Sequence, residues 1–157
     1  MAAPLGQLRF RRLLVALDGS ASAELALSAA VTAARRDNAA IALLCVAPDV
    51  IADAMRWPWP APVPAAQGDA DKFADGILRD AVARIPEDIP VTMIIKRGRP
   101  GHEIVAHAKE SDYDAILLGA RGVGRVEALV GSVSQYVMHH ATIAVFVAHA
   151  PPEEADA

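Results

Sequence analysis

Of 157 residues only Cys45 is a cysteine, so no intrachain disulfide can form, and a reducing compartment is the expectation. The chain also lacks a basic excess. Lys and Arg number 15 against 19 Asp and Glu, which leaves a net charge of −4 and an isoelectric point near 5.7. That balance argues against a general nucleic-acid or membrane-surface binder, since those present a basic face. No apolar run approaches the ~20 residues needed to span a bilayer. The opening "MAAPLGQLRFRR" has no continuous apolar stretch ahead of its arginines, so no secretory signal is read. The expectation is a cytoplasmic protein whose partners include neither nucleic acid nor membrane.

Several chemical signatures are missing too. The histidines, at 102, 107, 139, 140 and 149, show no H-x-x-x-H spacing and define no metal site. No Ser-His-Asp or Cys-His constellation is visible in the sequence, and no catalytic residue is assigned. No Gly-Lys pair exists, which excludes the P-loop G-x-x-x-x-G-K-[ST]. The dinucleotide fingerprint G-x-G-x-x-G should follow the first strand, whereas the spacing here is G-x-x-G-x-G and falls much later.

What is present is a globular core. Hydrophobic residues make up 54% of the chain and charged residues 22%, and the length suits one domain. Apolar runs alternate with amphipathic stretches. Arg12–Asp18 reads as a buried strand on length and flanks, and Ala40–Ala47, Val91–Lys96, Asp114–Gly119 and Ile143–Ala148 read as further strands. Between them Ser20–Arg36, Ala70–Arg84, Pro100–Glu110 and Ser132–His140 read as helices, the first with a serine to cap it and arginines in its last turn. Pro100 fits a first helical turn, where its missing N–H would be unpaired anyway. Continuously apolar strands in strict alternation with helices predict a single doubly wound, Rossmann-like α/β domain: a five-stranded parallel sheet with helices on both faces.

One segment interrupts the alternation. Pro48–Gly68 holds five prolines, at 48, 58, 60, 62 and 64, a spacing that reads as loop because proline suits neither a helix interior nor a central strand. Within it, Trp57 and Trp59 belong either to a variable surface loop or to a stiff flap over a ligand or partner. Elsewhere, Cys45 reads as an inert core residue, and Gly98 and Gly101 as shaping the turn at "RGRPG".

The stretch "LLGARGVGRVEALVGSVSQ", Leu117–Gln135, places four glycines where a strand hands over to a helix. Glycine there signals a positive φ or a backbone that something must approach. In an open α/β sheet, ligands sit beyond the carboxyl ends of the strands where the winding reverses. If the first and fourth strands flank that reversal, Asp18 and Gly119 share one edge, and a helix starting near Ser132 aims unpaired N–H groups at an anion there. On their own, Asp18 is also a common turn residue and Ser132 a common cap.

These residues resemble a known family. "LLVALDGSASAELAL", "KRGRPGHEIVAHAKESDYD" and "GARG…GSVSQYVMHHA" after "YDAILL" look like a universal stress protein domain from about Arg12 to Val147. Its signature is G-x2-G-x9-G-[ST]. The resemblance implies a sheet protein, usually dimeric, with ATP bound in one branch, Mg accompanying it. Carried over, Asp18 would sit by adenine and ribose and the main chain of Val46 would read the adenine edge. Gly119, Gly122, Gly131 and Ser132 would wrap ribose and phosphates, with Ala16, Leu17, Arg121, Val133 and Ser134 completing the site. The chain departs from the signature at one point: "VGRVEALV" puts eight residues, not nine, between Gly122 and Gly131. Eight residues span roughly 26–29 Å, so the ends can still meet. The open question is where the loop amides point, and Glu127, Arg121 and Arg125 add charge nearby.

Three functions stay open on this reading: a nucleotide-binding regulatory module that changes protein partners with occupancy, an interaction protein of the same fold without nucleotide, and a slow ATPase. The last would need a base or water-positioning group near the γ-phosphate. Residues 1–11 read as an extension, 12–148 as the domain and 149–157 as a tail. The apolar final strand in "TIAVFVAHAP" would expose its outer edge, which soluble proteins seldom leave open, so a homodimer through antiparallel pairing of the last strands is expected.

Overall fold

The computed structural model describes residues 6–55, 63–120 and 131–151. Five strands alternate with helices: β1 (Arg12–Ala16), α1 (Ala21–Asp37), β2 (Ala40–Ala47), α2 (Val50–Met55), α3 (Val63–Arg84), β3 (Val91–Arg97), α4 (Pro100–Glu110), β4 (Ala115–Gly119), α5 (Ser132–His140) and β5 (Ala144–Ala148). The sheet order is β3-β2-β1-β4-β5 and each strand pair is parallel. This is the doubly wound sheet expected from the alternation, with β1 beside both β2 and β4, so the winding reverses between β1 and β4.

Alternation along each strand divides the core in two. Leu13, Val15, Leu43 and Leu117 face one side with Ala26, Leu27 and Ala30 of α1 and Leu78 of α3. Leu14, Leu44, Ile116 and Leu118 face the other, against Ile104 and Val105 of α4 and Val137 of α5. Leu13, Leu14, Leu43 and Leu44 are fully buried, each stabilising the fold by about 1.5–3 kcal/mol relative to exposure.

α1 begins where the sequence signalled. Ser20 is its N-cap and accepts from the Ala23 N–H at 3.2 Å. It ends at Asn38, whose N–H bonds the Ala34 carbonyl and whose left-handed φ of 59° brings the following Ala39 N–H to the same carbonyl at 3.0 Å.

The proline segment does not read as expected. Val50–Met55 forms α2, and α3 starts at Val63 rather than Ala70. Asp49 Oδ1 accepts from the Ala52 N–H at 2.9 Å, a cap that nucleates α2. Pro64 is the second residue of α3, in the turn where no intrahelical N–H bond is due. The ends of this segment are tied by Gln67, a buried side chain whose Oε1 accepts from Val50 N at 2.8 Å while Nε2 donates to Pro48 O at 3.1 Å and Asp71 Oδ1 at 2.9 Å. Trp57 and Trp59 lie outside the described residues.

Candidate functional site

β1 ends at Ala16, and the chain leaves the sheet through Leu17, whose N–H makes a last bond to Leu44 O at 2.9 Å. Asp18 and Gly19 then turn the chain into α1. Gly19 has a φ of 82°, a conformation glycine adopts without strain. Asp18 is exposed, and its Oδ1 accepts from the Ser20 N–H at 2.9 Å. It is therefore a turn-forming residue and, at the same time, part of the cleft wall.

Beyond the carboxyl ends of β1, β2 and β4 lies a cavity of about 250 Å³. Ala16, Leu17 and Asp18 from the end of β1, Val46 from β2, Gly119 from β4 and Gly131, Ser132, Val133 and Ser134 at the start of α5 all line it, joined by Pro100 and Ile104 of α4. The structure thus brings together nine of the eleven residues anticipated from sequence. The other two, Arg121 and Gly122, lie outside the described residues, as do Gly124, Arg125 and Glu127. Sequence reasoning missed the α4 wall, since Pro100 read only as a helix start and nothing in the pattern singled out Ile104.

Val46 presents main chain to the cleft. In a parallel ladder successive residues direct their N–H and C=O to opposite neighbours. Leu44 O bonds Leu17 N on the β1 side and Ala47 O bonds Gly98 N on the β3 side. The amide and carbonyl of Val46 therefore face the β1 side, past the residue at which β1 has ended.

The helix ends at the cleft are unequal. The N-terminus of α1 is capped by its own Ser20. That of α5 begins after Gly131, at φ −64° and ψ 156°, which brings no side chain to cap the first turn. The amides of Ser132, Val133 and Ser134 receive nothing from the cap residue, and the positive end of the helix dipole adds to them.

Two glycines owe their identity to packing. A Cβ on Gly119 would run into Ser22 Oγ and stand 2.7 Å from Ala23 N and 2.8 Å from Ser22 C, so this glycine admits the first turn of α1. Packing alone thus requires a glycine here, at a position that also lines the cavity. A Cβ on Gly101 would meet the Tyr136 ring at 2.9 Å, so Gly101 lets α4 and α5 approach, and only Gly98, at φ 134°, serves the turn.

Ser134 is 1% exposed, and its hydroxyl turns inward to Ala120 O at 3.0 Å and Gly131 O at 2.9 Å. Cys45 is buried in the core behind Asp18, and burial, aided by the Asp18 charge, pushes its thiol up to about 11. Among the described residues no group of His, Cys, Asp or Glu is arranged to hold a metal ion, and no helix is long and apolar enough to cross a membrane.

Residues 9–149 match the universal stress protein family. The universal stress protein YxiE of Bacillus subtilis is 32% identical over 145 residues, covering 88% of this chain and 98% of the relative. The solved structure of the universal stress protein UspA from Lactobacillus plantarum superposes with a TM-score of 0.78 at 26% identity, over 91% of this chain and 100% of that one. Two other solved folds are similar. One is a universal stress protein in complex with cAMP, with a TM-score of 0.70, 21% identity, and 92% and 100% of the two chains covered. The other is the universal stress protein from Archaeoglobus fulgidus in complex with dAMP, with a TM-score of 0.66, 22% identity, and 90% and 99% covered.

Proposed function

Taking as premise that the chain belongs to the universal stress protein family, we propose that it is a regulatory protein that binds an adenine nucleotide, ATP with Mg among the candidates, in the cleft between β1 and β4. The observation that carries this reading is the cavity itself, a polar main-chain edge at one end and an uncapped helix N-terminus at the other. Leu17 and the main chain of Val46 take the base, Asp18 faces the ribose, and the amides of Ser132 to Ser134 meet phosphate. The family members solved with cAMP and with dAMP support an adenine ligand. The test is mass analysis of small molecules released from freshly purified protein. An adenine nucleotide in near-stoichiometric amount is expected, and its absence, together with no binding of added nucleotide, would overturn the reading.

One observation favours a second reading, an interaction protein without nucleotide. The glycine spacing, with eight residues between Gly122 and Gly131, is one residue short of the family signature. Either function is served by a homodimer formed through the outer edge of β5. Ala148 O accepts from Ala120 N on the β4 side, so alternation turns the main-chain groups of Val145 and Val147 outward, where a second β5 would pair.

A further inference from the structure

Ala120, just past the end of β4, and Gly131, just before α5, are joined directly. Ala120 O accepts from Gly131 N and from Ser134 Oγ, and Ser134 Oγ also reaches Gly131 O. Ala120 is fixed from the opposite side as well, its N–H donating to Ala148 O at 2.7 Å. We propose that Ser134 is a positioning residue for phosphate: its buried hydroxyl clasps Ala120 to Gly131 and so holds the first amides of α5 aimed into the cleft, whatever the length of chain between them. This rests on the nucleotide reading given above and deepens it. The one-residue-shorter spacing then ceases to matter for the α5 amides, because the clasp and not the loop length sets where the helix begins.

Removing the hydroxyl leaves no orphaned acceptor. Ala120 O keeps the Gly131 N–H, and Gly131 O keeps the Gln135 N–H at 3.1 Å. The fold therefore survives the loss, and the effect is one of aim. A hydroxyl shared between two carbonyls contributes about as much as an ordinary net hydrogen bond, equivalent to roughly a five- to tenfold change in affinity.

The experiment titrates ATP and adenosine separately into the full chain carrying Ser134→Ala, Ser134→Cys, or one leucine inserted between Val130 and Gly131, and follows hydrogen exchange at the Gly131 amide without ligand. Ser134→Cys leaves no cavity and replaces the strong donor by a weak one. Both Ser134 variants are expected to weaken ATP about five- to tenfold, leave adenosine affinity unchanged, lower Tm by only about 2–4 °C, and speed exchange at Gly131. The insertion is expected to leave ATP affinity unchanged. The proposal is overturned if the Ser134 variants keep the native ratio of ATP to adenosine affinity, if both ligands weaken equally, or if Gly131 exchange does not change. If the native protein binds neither ligand, the nucleotide reading fails. The exchange measurement then still decides whether the clasp exists.

Discussion

Gly119 and Ser22 are in such close approach that no side chain fits between the end of β4 and the first turn of α1. The backbone atoms facing Gly119, Ser22 C and Ala23 N, cannot swing aside as a flexible side chain could. Gly119→Ala is therefore expected to destabilise the protein by about 1–3 kcal/mol, the usual cost of overpacking a filled site. Chemical denaturation checks this, and an unchanged midpoint would contradict it.

That contact also shows where the sequence was legible and where it was not. Strand positions and helix alternation followed from runs such as "AIALLCVA" and from their spacing, because apolar runs leave a strong local pattern, whereas the reversal between β1 and β4 entered only as a condition, since strand order is set by distant pairing. Of the cleft residues, Asp18, Gly119 and Ser132 followed from where strands end and a helix begins, and the others from the family resemblance. What the sequence hid depends on distant partners. Gly119 looks like any loop glycine until α1 is laid against it, and Gly101 until Tyr136 is. Ser134 looks like a third small residue in a glycine-serine run until its hydroxyl is found between two carbonyls. α2 and the start of α3 were hidden because five prolines dominated the reading, although Asp49 as a cap and Pro64 in a first turn are both helix-compatible.

Cys45 lies behind Asp18, and its thiol is raised to about 11, by burial first and by the Asp18 charge second. At pH 8 its alkylation should run on the order of a hundredfold slower than that of a free thiol, from the thiolate fraction alone. Asp18→Asn should lower the thiol pKa and speed the reaction. Mass-spectrometric rates with iodoacetamide test both, and a rate like that of a free thiol would contradict the burial described here.

Acid should unfold the chain partly through Asp37 and Asp114. Asp37 is held down at about 2 by the side chain of Arg36 and by the Phe10 N–H. Asp114 is lowered by the N–H groups of Arg12 and Arg11. Both shifts are depressions, so the stability they contribute is complete above the unfolded carboxylate range, near 4, and is lost as pH falls toward the folded values. Asp37→Asn should lower Tm at pH 7 and flatten its fall between about pH 4 and pH 2. An unchanged pH profile would contradict the assignment.

Dimerisation through β5 makes a positional prediction. Val147 directs its N–H outward and Phe146 directs its own toward β4. Val147→Pro removes an outer-edge donor and should shift the protein to monomer in sedimentation velocity at micromolar concentration. A native protein that is already monomeric there would contradict the proposed assembly.

The most direct test of the nucleotide site is calorimetric titration of ATP into the native protein and into Val133→Asp. Val133 lines the cavity in the first turn of α5 and is half-buried against the core; an aspartate there costs some packing, which the helix dipole partly offsets, and opposes a phosphate. The account predicts saturable one-to-one binding by the native protein and at least about tenfold weaker binding by the variant, equivalent to ~1.4 kcal/mol. Absence of binding by the native protein, or equal binding by both, would contradict it.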